Sequence, residues 1–155
     1  AAEKEAAKLA EEKVLQGQGG PEVLAKISKA KENGTTKLYL DESGISDLTP
    51  MSGLTDLTAL SLHDNQINDL GPLAQLTNLK ELQLYGNQIN DLTPLAGLTN
   101  LERLGLHNNQ IINLRPLKGL TKLGALELHQ NPIPKDQIDM LKKALPRCKI
   151  WFEDD

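Results

Sequence analysis

A chain of 155 residues, 25% of them charged and with a net charge of −4, is long enough for one domain with a continuous core. Its mildly acidic balance argues against nucleic acid, which selects clustered Lys and Arg. No apolar run approaches the roughly 18 residues of a spanning helix, so no membrane insertion is expected.

Residues 1–16 (AAEKEAAKLAEEKVLQ) are rich in Ala, Glu and Lys, with a thin apolar stripe of Ala6, Leu9, Ala10 and Val14. Their helix propensity is high, although so short a helix is marginal alone. The segment lacks the basic-then-apolar layout of a secretion signal, an exported protein would already have lost one, and no compartment is assigned. Gly17-Gln18-Gly19-Gly20 breaks the helix. Pro21 suits the first turn of a second helix, with Val23, Leu24, Ile27 and Ala30 on one face. Asn33-Gly34 ends it with a pair suited to a left-handed cap.

Residues 35–40 (TTKLYL) are the first expected strand and open a degenerate copy of a 22-residue pattern. The pattern recurs in clearer form over 54–75, 76–97 and 98–119, with a truncated fourth copy from Leu120. Self-similarity at this period marks a stacking unit, because one repeat cannot bury its apolar face alone. In the copy over 54–75 the apolar residues are Leu54, Leu57, Leu60, Leu62, Ile67, Leu70 and Leu73, and the same offsets recur in the next two. The central Leu-x-Leu alternates with period two and predicts a strand with its leucines inward, parallel to its neighbours and about 4.8 Å from each.

Asn65, Asn87, Asn109 and Asn131 stand where the chain leaves each strand. An inward Asn can bond backbone groups of its own and the next coil, which would cost about 1–3 kcal/mol each if buried unpaired. Asp47, Asp69, Asp91 and Asn113 each precede a Pro by three residues. That spacing predicts a 3₁₀ turn on the convex side, with Thr49 or Thr93 as cap. One carboxylate per coil is thin against the six to eight oxygens that calcium takes, so capping is the expected role of this row.

After Asn131 a helix is expected over 135–145, with Ile138, Leu141 and Leu145 at helical spacing and Pro146 as its stop. Residues 149–152 read as a final strand in which Trp151 and Phe152 close the core with bulk, and 153–155 as a solvated tail. Cys148 is the single cysteine, so no internal disulfide forms, and it is expected to be a small buried apolar residue. The division is an N-terminal cap over 1–34, repeats over 35–133 and a C-terminal cap over 134–155.

The Leu-x-x-Leu-x-x-Leu-x-Leu-x-x-Asn-x-Ile spacing is that of a leucine-rich repeat. The expected fold class is α/β: a leucine-rich-repeat solenoid with a curved parallel sheet on the concave face and short 3₁₀ turns on the convex face. A helical N-terminal cap and a helix-plus-strand C-terminal cap close its ends. The consensus LTNLxxLxLxxNQIxDLxPLAGLTNL resembles the 22-residue repeats of the bacterial internalin type over roughly residues 36–133. Repeat length, Asn-Gln-Ile, Asp-Leu-x-Pro-Leu and the Leu-Thr-Asn-Leu start all agree. That family forms curved solenoids that bind partner proteins on the concave face, so the resemblance implies a binding module. The termini do not look like the cap region of internalins proper, and no surface-anchoring signal comes after the repeats. Surface attachment and a role in host invasion are therefore not carried over.

Strand residues pointing away from the core vary from copy to copy while the frame stays constant. Tyr39, His63, Glu81, Tyr85, Arg103, His107, Glu127 and His129 are the candidate partner-binding residues, because aromatic and Arg side chains commonly anchor interfaces. The expected function is non-catalytic binding of a protein by a monomer. The regularity is also compatible with an engineered or consensus-derived repeat scaffold that has a structural role and no evolved partner.

All three histidines fall in one column, which Tyr85 completes and Asp41 begins. His107 and His129, about 5 Å apart on neighbouring strands, have the separation to share Zn²⁺ or Cu²⁺ with Glu127 as a third ligand. His63 lies about 10 Å from His107 and is out of reach. Duplication of a tolerated surface residue is the preferred reading of the column, and no metal or cofactor is assigned. Ser61, His63 and Asp64 contain the residue types of a hydrolytic triad without a strained nucleophile turn or an oxyanion donor, so no enzyme is expected. The glycines at 17–20 lack the Lys-Ser/Thr of a phosphate loop.

Overall fold

The computed structural model describes residues 1–153; Asp154 and Asp155 of the expected tail lie outside them. Helices α1 (Ala2–Gly17) and α2 (Gly20–Asn33) lead into five short strands. These are β1 (Lys37–Tyr39), β2 (Ala59–Ser61), β3 (Glu81–Gln83), β4 (Arg103–Gly105) and β5 (Ala125–Glu127). Helix α3 (Lys135–Ala144) and strand β6 (Lys149–Trp151) come last. The strands form one parallel sheet in chain order. Register advances by 22 residues at each step, Leu38 facing Leu60 and Leu60 facing Leu82. Only the last step differs, Leu126 facing Ile150 across a gap that α3 fills.

The leucine and isoleucine offsets make one contiguous core, most of it at or near zero exposure, for example Leu62, Leu82, Leu104 and Ile111. Each coil returns through a 3₁₀ turn: Thr49–Met51, Gly71–Leu73, Thr93–Leu95 and Arg115–Leu117. Thr49 and Thr93 are not the caps. They are the first residues of their turns, and Leu48 and Leu92 hold the cap positions without a side-chain bond. The oxygen comes from two residues upstream: Asp47, Asp69, Asp91 and Asn113 accept the N–H of Thr49, Gly71, Thr93 and Arg115 at 2.8–3.0 Å. A short Asp or Asn side chain reaches the second amide ahead without disturbing the helical turn.

The Asn row points inward as expected, but it ties each coil to the one before. Asn65 Oδ1 accepts the N–H of Ser43 and Ile45, and its Nδ2 donates to the carbonyls of Leu40 and Leu62. Asn87, Asn109 and Asn131 repeat the arrangement one coil at a time.

At the first end, α2 covers the stack with Val23, Ile27 and Ala30, and ends at Gly34, whose φ of 61° spares a Cβ the left-handed penalty. Helix α1 buries no residue. Its attachment is polar: the Gly17 carbonyl accepts the N–H groups of Ser46 and Asp47 at 2.7 and 2.8 Å. At the far end α3 packs Ile138 and Leu141 inward, and Gln137 Oε1 accepts the N–H of Leu114. Cys148 is half-buried against the core, and loss of solvent raises its thiol pKa. Trp151 is partly exposed rather than a core plug: it alternates with Ile150 and lies in register with Glu127, leaving Ile150 and Phe152 to pack against the core.

Candidate functional site

Two rows of outward side chains lie directly over the sheet, and a third stands where the chain leaves each strand. The first runs Lys37, Ala59, Glu81, Arg103, Ala125 and Lys149, the second Tyr39, Ser61, Gln83, Gly105, Glu127 and Trp151. Parallel pairing sets equal offsets beside one another, so each row crosses the sheet at the spacing of its strands. Small residues make troughs. Ala59 and Ser61 are buried between larger neighbours, and Gly105 lies against the tip of Gln83.

In the first row Glu81 and Arg103 form an ion pair at 3.6 Å. Both are exposed, so the pair contributes at most about 1 kcal/mol. Tyr39 is 62% exposed on β1 and stands apart from the other candidates. Lys149 lies over the Trp151 ring at 4.7 Å, a cation–π contact at the opposite edge of the sheet.

The third row is a continuous stack of rings. His63 lies 4.4 Å from Tyr85, Tyr85 4.2 Å from His107, and His107 4.3 Å from His129, with interplanar angles of 7°, 12° and 15°. The coil spacing matches the thickness of offset-stacked rings, so the fold pre-orders all four side chains. The ring faces are spent on one another.

Asp41 closes the N-terminal end of this column. Its carboxylate accepts the Ser61 hydroxyl at 2.5 Å and the His63 N–H at 3.0 Å, and its second oxygen stands 3.2 Å from His63 Nε2. Asp64 holds the other ring nitrogen, Nδ1, at 2.8 Å. Ser61 is therefore bound to Asp41 and not to a histidine base. The backbone at Asp64 is left-handed (φ 55°), as it is at Glu42, Gly86, Asn108 and Gln130 in the equivalent positions.

Electrostatics differ along the stack. Loss of solvent, then the charges of Asp64, Asp41, Glu127 and Glu42, push the Tyr85 phenol above its ordinary value, so it remains an O–H donor. Loss of solvent first and the neighbouring His129 second lower the His107 pKa against the opposing pull of Glu127 and Asp64. Both effects favour the neutral ring of His107. Its Nδ1 is shut off from solvent 3.3 Å from Glu127 Oε2, in a direction that makes no hydrogen bond.

The structure thus brings His63, Tyr85, His107 and His129 into one stack, sets Glu127 beside His107, and pairs Glu81 with Arg103. Asp41 and Asp64, which organise the first histidine, are outside the partner-binding candidates, although the sequence puts Asp41 at the start of the column. Their signal is present in the offsets, since Asp41 falls 22 residues before His63. Lys149 and Trp151 escape the sequence-based set because the final step departs from that period.

Comparison with known proteins is consistent with this geometry. The leucine-rich-repeat model of two copies matches residues 55–97. No curated protein matches the chain. Among solved structures, internalin C2 from Listeria monocytogenes is 35% identical over 81% of this chain and 55% of its own, with a TM-score of 0.74. A second internalin from that organism is 42% identical over 76% of this chain and 33% of its own, with a TM-score of 0.68. A leucine-rich-repeat protein from Leptospira interrogans is 35% identical over 77% and 33%, with a TM-score of 0.70. The chain spans about half the length of the first of these and a third of the other two.

Proposed function

Because the chain is similar to bacterial internalin-type leucine-rich-repeat proteins, we propose that it is a non-catalytic module that binds a partner protein on its concave face. The observation that carries this reading is the contrast between frame and surface. The inward offsets are Leu or Ile in nearly every coil, whereas one outward row changes from Lys37 through Ala59, Glu81 and Arg103 to Ala125. A constant scaffold with a coil-specific surface is how a solenoid sets the identity of its partner. The anchors are Tyr39, Tyr85 and Arg103, with Glu81, Glu127 and the histidines giving charge and hydrogen-bonding complementarity. Pre-stacked rings lose little side-chain freedom on binding, which favours affinity. The Ser61 hydroxyl donates to Asp41 and meets no histidine, so these residues are not arranged as a hydrolytic triad.

Affinity capture and then titration test the proposal. A Tyr39→Ala, Arg103→Ala double variant, altered only at exposed positions, is expected to keep its fold and lose at least about tenfold in affinity. An Asn68→Ala, Asn90→Ala variant, also exposed but in the segments after Ile67 and Ile89, should bind as the parent does. The reverse pattern would remove the concave face from recognition. Failure to capture any protein would favour a scaffold without a partner.

A further inference from the structure

We propose that His107, His129 and Glu127 form a binding site for a divalent transition-metal ion of the zinc and copper(II) class. One ring nitrogen from each histidine and one carboxylate oxygen lie within 4.8 Å of one another. A tetrahedral ion with bonds of about 2.0–2.2 Å needs donors about 3.3–3.6 Å apart. Modest rotation of three partly exposed side chains closes the difference, because strands β4 and β5 already hold the backbones in register. Two imidazoles and a carboxylate suit zinc and copper(II), and exclude the all-oxygen shell of calcium or magnesium.

A second observation points to the same place. His107 Nδ1 is closed to solvent and makes no hydrogen bond, although a carboxylate oxygen stands 3.3 Å away. A buried polar atom without a partner is uncommon in folded proteins, and a shared ion between Glu127 and the ring nitrogen would satisfy both groups. The other group of the same type, Glu42, His63 and Asp64, offers a single imidazole. Both nitrogens of that ring already face carboxylates, Asp64 at 2.8 Å and Asp41 at 3.2 Å. Tyr85 stands between the two groups and keeps them separate.

Coordination has a geometric consequence. An ion must lie near the plane of each imidazole it binds, and two near-parallel rings at 4.3 Å cannot both meet that condition. Loading therefore tilts His107 and His129 out of their stack, while His63 stays between its carboxylates.

The test is calorimetric titration of zinc chloride into tag-free, chelator-stripped protein at pH 7.5, without any partner, so that its failure is separate from failure of the protein-binding proposal. One ion per chain is expected. His129→Gln and Glu127→Gln should each weaken binding at least about tenfold, and His63→Gln should change it less than about twofold. Glu127→Gln alters a partly exposed side chain and keeps the comparison free of folding defects. Proton NMR should show the His107 and His129 ring resonances moving on loading and those of His63 unmoved. Absence of saturable heat up to millimolar zinc, unchanged affinity in Glu127→Gln and His129→Gln, or perturbation of His63 in place of His107 and His129 would each overturn the assignment.

Discussion

The Asn87 amide serves backbone groups of two coils at once. Its Oδ1 accepts the Ile67 N–H at 3.0 Å, and its Nδ2 donates to Leu62, Leu84 and Tyr85 carbonyls at 3.0, 2.9 and 3.3 Å. Asn87→Ala strands the buried Ile67 N–H and takes one donor from each of three carbonyls, which keep Asn65, Asn109 and the Asp64 N–H, so a loss of about 1–3 kcal/mol is expected. Gln83, on β3 of the same coil, faces outward, where its tip rests over Gly105. Gln83→Ala should move stability by no more than about 0.5 kcal/mol. Urea midpoints of the two variants measure the contrast directly, and equal shifts would refute the inward role of the Asn row.

Helices α1 and α2 adjoin in the chain and differ in what they bury. Helix α1 presents Leu9 and Val14 to solvent and buries nothing, whereas α2 places Val23, Ile27 and Ala30 on the first coil. Deleting residues 1–16 keeps the Gly17 carbonyl that holds Ser46 and Asp47, and the melting temperature should stay within a few degrees. Deleting 1–34 uncovers Leu38, Leu40 and Ile45 and should cause aggregation, read by light scattering. A large loss of melting temperature from the shorter deletion would mean that α1 docks.

The 3₁₀ turns carry a pH dependence. The Thr49 hydroxyl, then Gln18 and the Thr49 N–H, hold Asp47 below its ordinary pKa, and Thr93 does the same for Asp91. A carboxyl group depressed on folding contributes stability above its unfolded pKa of about 3.9, and loses it as pH falls through the folded value. Asp47→Asn should therefore be less stable than the parent at pH 6, with the gap narrowing by pH 3. Urea denaturation at the two pH values checks this, and a gap that widens in acid would reverse the assignment.

At the scale of the molecule, one core runs from Val23 to Leu145 without a break. Each coil borrows its neighbour's apolar face and amide bonds, which favours a single cooperative transition over piecemeal loss of coils. Leu84→Ala, at the centre of the stack, should cost about 2–5 kcal/mol. It should lower the urea midpoint seen by far-ultraviolet circular dichroism and by Trp151 fluorescence equally. Separation of the two midpoints would show the C-terminal cap melting independently.

Strand positions, inward leucines and the columns themselves came from the sequence, because a constant 22-residue period puts equal offsets beside one another whatever the details of the coil. The location of both helical caps came from it as well, since apolar faces without a repeat partner must cover the open ends. Tertiary structure decided what that period leaves open. It turned each Asn toward the preceding coil, because only that neighbour presents free amides at hydrogen-bonding distance. It stacked the four rings, which requires the spacing of coils and the side-chain rotamers to agree. It sent Trp151 outward, because α3 replaces a coil before β6 and the alternation of the strand then puts Ile150 inside. Above all, it fixed Asp41 on His63 and left His107 Nδ1 without a hydrogen bond, distinctions that depend on angles and on access to water, neither of which is written in spacing alone.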